Sequence, residues 1–208
     1  MSRRKFLGGP SAGVLVLFGV VLASGACERR AEEQPPAEEA PEAAAPAPAP
    51  APAPTLTDAE IAHVAVTANS IDSAMAELAK TKTQNPEVRS FAETMITDHS
   101  AVNRQATQLA QRLNVTPMDN DVSRQLQQGA DQARRELSAK SGAEFDRAYI
   151  DREVTYHQAV LDALDKTLIP QAQNAELKAL LEQVRPAVAA HLERARQLQP
   201  RLAAPAAT

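Results

Sequence analysis

Apolar side chains recur every three or four positions along most of the chain after residue 55, which is the spacing of one helix face. The first repeat is typical, because Ile61, Val64, Ala68 and Ile71 are separated by polar and small residues. No run of alternating or β-branched residues competes with this pattern. The spacing predicts four long helices, with a weaker helix in the link between the second and third, over residues 58–83, 86–113, 119–139, 142–168 and 174–198.

Residues that favour helix starts stand at three of the predicted boundaries. Thr57 with Glu60, and Ser141 with Glu144, have the Ser/Thr-x-x-Glu spacing of a capping box, and Asn85 precedes a proline. Four amphipathic helices of similar length, joined by one long link, pack most simply around a shared core. The chain is therefore predicted to be an all-α, four-helix bundle with a helical crossover between the second and third long helices.

The first 26 residues lack this helical pattern and predict an export signal peptide. A basic start is followed by an apolar run over about residues 14–23 and then by small residues, and this run is too short to span a membrane comfortably. The opening letters SRRKFL are similar to the twin-arginine signal of bacteria, although paired arginines also occur in ordinary secretory signals. An exported protein of the periplasm or cell envelope is expected.

Cys27 is the single cysteine, so the chain forms no intramolecular disulfide. The letters LASGAC are similar to a lipoprotein cleavage box, which makes Cys27 the candidate lipid attachment site; the alternative is an unmodified thiol. Residues 27–54 are rich in Ala, Pro and Glu and predict an extended linker. The predicted organisation is a signal at 1–26, an anchor and linker at 27–54, and a bundle at 55–208, with the membrane as partner through the lipid.

Charge and motifs exclude several function classes. The chain has 22 Lys and Arg against 26 Asp and Glu, giving a net charge of −4, and the two signs are mixed along the helical part. No basic stripe follows a helix face, so nucleic acid is not an expected partner. There is no nucleophile paired with a base, no glycine-rich phosphate loop and no cofactor fingerprint, and no catalytic residue is assigned.

Three of the four histidines fall on the apolar stripes when the helices are drawn at 100° per residue. His99, His157 and His191 point inward, Glu153 lies one turn from His157, and His63 lies off its stripe. Burying one unpaired ionisable group costs several kcal/mol, so such groups must satisfy one another or bind something. Imidazoles and a carboxylate suit one transition metal ion, Zn, Fe, Mn or Cu, and a buried hydrogen-bond cluster is the alternative.

Positions along the helices bear on whether these groups can meet. His99 and His157 lie at similar depths, about 20 and 22 Å from the starts of their helices at 1.5 Å per residue. The same estimate places His191 about 9 Å away from their level, which weakens a single three-histidine site without excluding it. Asp72, level with His99, and Asp146 are further candidate ligands, with a solvated helix flank as the alternative for each.

Three stretches resemble the bacterial domain-of-unknown-function family 4142, a ferritin-like group of exported proteins that are often lipoproteins. The similarity runs from about Leu56 to Leu198 and is carried by FAETMITDHS, SGAEFDRAYIDREVTYH and VRPAVAAHLERA. The resemblance implies a ferritin-like bundle but supplies no activity. Ferritin-like di-iron sites use two Glu-x-x-His pairs, whereas Glu153 and His157 are four residues apart and no second pair exists, so a di-iron centre is not expected.

Two hypotheses about function remain after this reading of the sequence. The first is a membrane-anchored binding or stress-related module of the envelope that holds a mononuclear metal through His99, Glu153, His157 and His191. The second is a structural or protein-interaction bundle in which the inward polar groups bond only to each other. The metal content of the purified protein separates them.

Overall fold

The computed structural model describes residues 55 to 203, and every regular element in that range is helical. The five helices are α1 Asp58–Lys82, α2 Pro86–Arg112, α3 Asp121–Ser138, α4 Gly142–Ala163 and α5 Ala175–Ala203. The chain continues from α4 through a π-helical turn, Leu164–Leu168, and a short α-helical turn, Ile169–Gln171. The predicted signal peptide, Cys27 and the linker lie outside the described residues.

Four of the helices form the predicted bundle. α1 and α2 are joined by three residues and pack along their length, and α4 packs in the same way against α5. Contacts between α2 and α5 and between α1 and α4 close the bundle, while α3 lies outside it against α1 and α4. The all-α, ferritin-like fold with a helical crossover is therefore confirmed. None of the helices described here combines the length and the apolar character needed to cross a bilayer.

Local capping chemistry explains where the first two helices begin. The Thr57 hydroxyl accepts a hydrogen bond from the Glu60 amide, and the Glu60 carboxylate accepts one from the Thr57 amide. The Asn85 side chain accepts hydrogen bonds from two amides of the first turn of α2, at 2.9 and 3.3 Å. Each contact satisfies a backbone donor that a helix start leaves unpaired, as the sequence predicted.

The predicted capping box at the start of α4 is wrong. Ser141 makes no side-chain cap hydrogen bond, and Glu144 pairs instead with Lys140 at 2.6 Å. Gly142, the first helical residue, has φ of +54°, in the left-handed region that L side chains rarely adopt. This backbone turn sets the entry of the chain into α4, and the box that the spacing predicted does not form.

The core divides into two hydrophobic clusters along the bundle axis. The aromatic cluster contains Phe91, Phe145 and Tyr149, packed with alanine, methionine and leucine side chains. The aliphatic cluster, at the end of the bundle where α1 and α5 begin, contains residues such as Leu109, Leu164 and Leu181, and none of its members is aromatic. On each helix that carries a buried histidine, that histidine lies along the sequence between residues of the aromatic cluster and residues of the aliphatic cluster.

Candidate metal centre

Five ionisable side chains meet inside the bundle at the boundary of the two clusters. α1 contributes Asp72, α2 contributes His99, α4 contributes Glu153 and His157, and α5 contributes His191. Their exposed fractions are 0%, 5%, 0%, 1% and 7%, respectively. Each residue lies on the apolar stripe of its helix, so the packing that buries the stripe also brings these polar groups together.

The three inward histidines form a triangle of imidazole rings. The ring centroids of His99 and His157 are 5.7 Å apart, those of His99 and His191 are 5.2 Å apart, and those of His157 and His191 are 5.4 Å apart. One ring nitrogen from each histidine lies within 4.8 Å of the others. The three side chains therefore face one shared space.

The predicted height mismatch of His191 is wrong. That prediction ended the fourth helix at Leu168, but the π-helical turn and the turn after it carry helical chain to Gln171. The three added residues lengthen the path from His157 to the end of its helix by about 4.5 Å, which removes about half of the expected 9 Å difference. The ring distances show directly that His191 reaches the level of the other two histidines.

A hydrogen-bond network fixes the tautomer of His99. The amide nitrogen of Asn69 donates to the backbone carbonyl of Ala65 at 2.8 Å, which turns the Asn69 carbonyl oxygen toward the imidazole. His99 Nδ1 lies 2.6 Å from that oxygen and must donate to it, because a carbonyl oxygen only accepts. His99 Nε2 is then the nitrogen left free when the ring is neutral.

The other two rings are oriented by the same principle. His157 Nδ1 donates to the backbone carbonyl of Glu153 at 2.9 Å, which leaves Nε2 free. His191 Nε2 donates to a carboxylate oxygen of Asp98 at 2.9 Å, which leaves Nδ1 free. All three free nitrogens are enclosed, and none has a hydrogen-bond partner among the described residues. A ring nitrogen held by an outer acceptor, with the second nitrogen unpaired, is the usual arrangement of a metal-binding histidine.

Asp72 brings a carboxylate against two of these nitrogens. One of its oxygens, Oδ2, lies 2.8 Å from His99 Nε2 and 3.2 Å from His157 Nε2. With both rings neutral and Glu153 ionised, neither Asp72 oxygen has a hydrogen-bond donor in the part of the chain that the structure describes. A carboxylate oxygen this close to two ring nitrogens calls for a proton on one of these groups or for a metal ion between them.

Glu153 lies beside this group and is held by an arginine. Its Oε1 accepts a hydrogen bond from Arg152 at 2.7 Å, while its Oε2 is enclosed without a hydrogen-bond partner and lies 3.5 Å from His157 Nδ1. Arg152 also stacks over the Tyr156 ring, 4.6 Å from the centroid. Asp72, Glu153 and His157 form a second group whose ligand atoms lie within 4.8 Å of one another.

Burial and mutual charge set the protonation of these residues. Burial by itself raises the pKa of Asp72, but His99 and His157 outweigh it and hold that pKa well below its usual value. Burial, and then the nearby Asp72, raise the pKa of Glu153 far above its usual value. Burial lowers the pKa of His157 to about 4 and also lowers the pKa of His191. At neutral pH His157 and His191 are thus neutral, the form that binds metals.

The remaining candidates take different places. Asp146 is buried but belongs to neither ligand group, since it lies seven residues before Glu153 on α4, about 10 Å along the helix axis. The two tyrosine hydroxyls of α4 face the protein interior. The Tyr149 hydroxyl is enclosed without a hydrogen-bond partner, and the Tyr156 hydroxyl donates to the backbone carbonyl of Ala68 at 2.9 Å.

Sequence reasoning placed Asp72 at the edge of its helix stripe, whereas the structure places it at the centre of the site, fully buried. It also missed Asn69, which lies three residues before Asp72 and so on the same side of α1. The one indication of its role in the sequence was its position as a polar residue about one helical turn from Asp72. Asp98, on α2, accepts the hydrogen bond of His191 from α5.

Comparison with known proteins adds the family. The model of the family described as a domain of unknown function, DUF4142, matches residues 43–198. The chain belongs to this family. Among curated protein sequences, none matches this DUF4142 chain.

Solved structures share the fold of the DUF4142 chain. A DUF305 protein of Streptomyces coelicolor, described as secreted, has a TM-score of 0.61 at 13% identity, covering 73% of this chain and 96% of its own. CopM in a silver-bound form has a TM-score of 0.54 at 19% identity, covering 72% and 99%. CopM in a copper(II)-bound form has a TM-score of 0.53 at 20% identity, covering 70% and 98%. At these identities the likeness establishes a common fold.

Proposed function

We propose that this protein binds one transition metal ion, with copper favoured, inside its bundle and acts as a metal-binding module of the bacterial envelope. The observation that carries the proposal is the set of free nitrogens, Nε2 of His99, Nε2 of His157 and Nδ1 of His191, enclosed with the unpartnered oxygens of Asp72. Three imidazoles and one carboxylate form a ligand set typical of copper, zinc and iron. Glu153 stands beside this set as a further donor.

Protons leave more of the enclosed polar atoms of this site without a partner than a metal ion does. One proton on His99 would pair that ring with Asp72 but leave the free nitrogens of His157 and His191 enclosed without a partner. A second proton would place two imidazolium charges on rings whose centroids are 5.7 Å apart in a dry interior. A cation among the three histidine nitrogens, beside Asp72, satisfies more of the free atoms than one proton does, which favours metal binding over the buried hydrogen-bond cluster.

Two arguments favour copper among the metals. Sites of this donor type bind copper(II) more tightly than the other divalent ions of the first transition row. CopM, which shares the fold, has solved structures in a copper(II)-bound and a silver-bound form. When bound, the ion would be held by the three histidines and Asp72, and the outer acceptors Asn69 and Asp98 would keep their rings in place.

We propose further that the module is exported and held at a membrane by a lipid on Cys27. The apolar run after a basic start, and the small residues before Cys27, support this placement. A protein of similar fold is described as secreted. Expressing the full chain and its Cys27→Ser variant in a bacterium fed an alkyne-labelled fatty acid tests the anchor: label on the native chain alone supports it, and label on neither rejects it.

Metal analysis tests the proposed site. The full chain, purified without chelator, loaded with copper(II) and desalted, is expected to retain about one copper per chain by mass spectrometry. A variant with both His99→Ala and His157→Ala is expected to retain less than a tenth of that, because it loses two ligands. His63→Ala is the matched control, since His63 is half-buried on α1 and belongs to neither ligand group. Circular dichroism checks that each variant is helical. Equal copper in the double variant and the native chain would rule out this site.

A further inference from the structure

The aliphatic half of the bundle contains a cavity of about 100 Å³ beside the histidine cluster. At its inner end the lining includes His99 and Asn69, and at its outer end it includes Asp58 and Asn174, where α1 and α5 begin. All four bundle helices contribute to the walls. Between the two ends the walls are made of alanine, valine and leucine side chains, and the space is partly enclosed.

Small side chains on two neighbouring helices leave this space unfilled. On the cavity side α1 carries Ala62, Ala65 and Ala68, and α2 carries Ala106 and Ala110. The aromatic rings that fill the other half of the core have no counterpart here. Interior residues of this half, such as Val102, Val160 and Val184, stay partly accessible although they face other helices. Their accessible surface is the wall of the cavity.

The size and chemistry of the cavity restrict what it can hold. Pockets for drug-sized ligands have volumes of about 300 to 1,000 Å³, so a long alkyl chain or a cofactor is too large. Apolar cavities of about 150 Å³ stay dry and take up benzene or xenon. The apolar walls offer no hydrogen bonds to water between the two ends. The matching occupant is a small apolar molecule, of benzene size at most.

We propose that this cavity is a binding site for dioxygen and its route to the metal centre. Dioxygen is the small apolar molecule with chemistry at a redox-active metal, and the cavity ends at His99, whose Nε2 faces Asp72 in the proposed metal site. The role of dioxygen rests on the proposed function, because it needs a bound metal ion. The cavity itself does not depend on metal. The three histidines and Asp72 would hold the ion beside the cavity, and copper(I) bound there would supply the one-electron reduction of dioxygen to superoxide, with copper(II) as the other product and no proton transferred.

Xenon binding to the metal-free full chain tests the cavity alone. The ¹²⁹Xe resonance is expected to show one saturable site, and Ala106→Leu is expected to weaken xenon binding at least about tenfold, because the added carbon atoms occupy the space. Ala65→Leu provides a second filling variant from the other wall. Ala159→Leu is the control, because Ala159 is exposed on α4. No saturable xenon site in the native chain, or undiminished xenon binding in both filling variants, would overturn the proposal.

The rate of copper(I) oxidation tests the role of dioxygen. Copper(I)-loaded protein mixed with air-saturated buffer is expected to form copper(II) at least about tenfold more slowly in Ala106→Leu than in the native chain or Ala159→Leu. Copper content, measured in the same samples, is expected to be equal in all three. Equal oxidation rates with xenon binding lost would reject the dioxygen route. A native chain that binds xenon but retains no copper would reject the metal site and leave the cavity in place.

Discussion

At the scale of single residues, the site is defined by which atom of each histidine is already bonded. Asn69, the Glu153 carbonyl and Asp98 each accept one ring hydrogen, from His99, His157 and His191 respectively. These acceptors do not touch the proposed ion, yet they decide which nitrogen is free. Outer partners of this kind orient metal ligands and raise their basicity.

Removing the outer acceptor of His191 is expected to weaken metal binding. In Asp98→Ala the ring loses the bond that holds Nδ1 toward the site, so copper(II) affinity measured by competition with a chromophoric chelator should fall about 10- to 100-fold. Glu93→Ala, an exposed carboxylate on the same helix, is the control and should leave the affinity unchanged. Nitrogen NMR of His191 should show that the Nε2-protonated form is no longer favoured in Asp98→Ala. An affinity equal to that of the native chain would show that Asp98 has no part in positioning the ligand.

The low pKa of His157 predicts a loss of stability in mild acid. The unfolded chain protonates this histidine near pH 6.5, whereas in the folded protein its pKa is about 4, so between these values the unfolded state binds more protons. As pH falls from 6.5 to 4, the metal-free native chain should lose about 3 kcal/mol of unfolding free energy relative to His157→Gln, at about 1.4 kcal/mol per pH unit.

Urea unfolding in the presence of a chelator, followed by circular dichroism from pH 4 to pH 7, measures this difference. Glu153 acts in the opposite direction, because its raised pKa makes the folded state bind more protons as pH rises above 4.5. Comparing native chain and variant at each pH separates the His157 contribution from this background. Curves that run parallel over the whole range would contradict a neutral, buried His157.

At the scale of helices, the exact positions of the helix ends were the part of the structure that the apolar spacing did not predict. The apolar spacing predicted five helical segments to within a few residues of their boundaries. It could not show that α4 continues through a π-helical turn to Gln171, because the repeat of apolar residues is the same on both sides. That extension accounts for about half of the error in the level of His191, so an error at one helix end became an error about the site.

Two helical glycines, Gly142 and Gly129, form a matched pair that tests whether the backbone conformation at the start of α4 requires glycine. Gly142→Ala should destabilise the protein by about 1 to 2 kcal/mol, because φ of +54° forces an alanine into the left-handed region. Gly129→Ala should stabilise it by about 0.5 to 1 kcal/mol, because Gly129 lies inside α3 and nothing is within 4 Å of the added carbon. Thermal unfolding of both variants measures the two shifts. Changes of the same sign would show that the backbone conformation of Gly142 is not a constraint.

At the scale of the whole molecule, the two halves of the bundle core differ in composition, and the aliphatic half contains the cavity beside the histidines. The aromatic cluster supplies rigid filling on one side of the histidines, and the aliphatic cluster leaves a cavity on the other. A cavity of about 100 Å³ destabilises a core by about 2 kcal/mol, a substantial fraction of the stability of a domain. Retaining such a space beside the polar cluster is consistent with a functional use of that end of the bundle.

Metal should stabilise the whole fold if it binds where four helices meet. Free copper(II) at about 100 times its dissociation constant adds about 2.7 kcal/mol, which corresponds to a rise in Tm of about 5 to 10 °C for a domain of this size. A chelator should reverse the rise, and Asp72→Ala should reduce it because the carboxylate is lost. Differential scanning calorimetry measures the shift. A Tm of the native chain that is unchanged by copper and by chelator would favour the purely structural bundle.

The sequence by itself determined the helical class, the order of the helices, the inward direction of three histidines and the family. Each of these follows from a repeat or a motif that is local along the chain, or from the match of the whole sequence. The tertiary structure decided the rest: that His191 reaches the other rings, that Asp72 is central, which ring nitrogens are free, and that a cavity borders them. Those features depend on the relative height and rotation of separate helices, which are set by packing between residues distant in sequence.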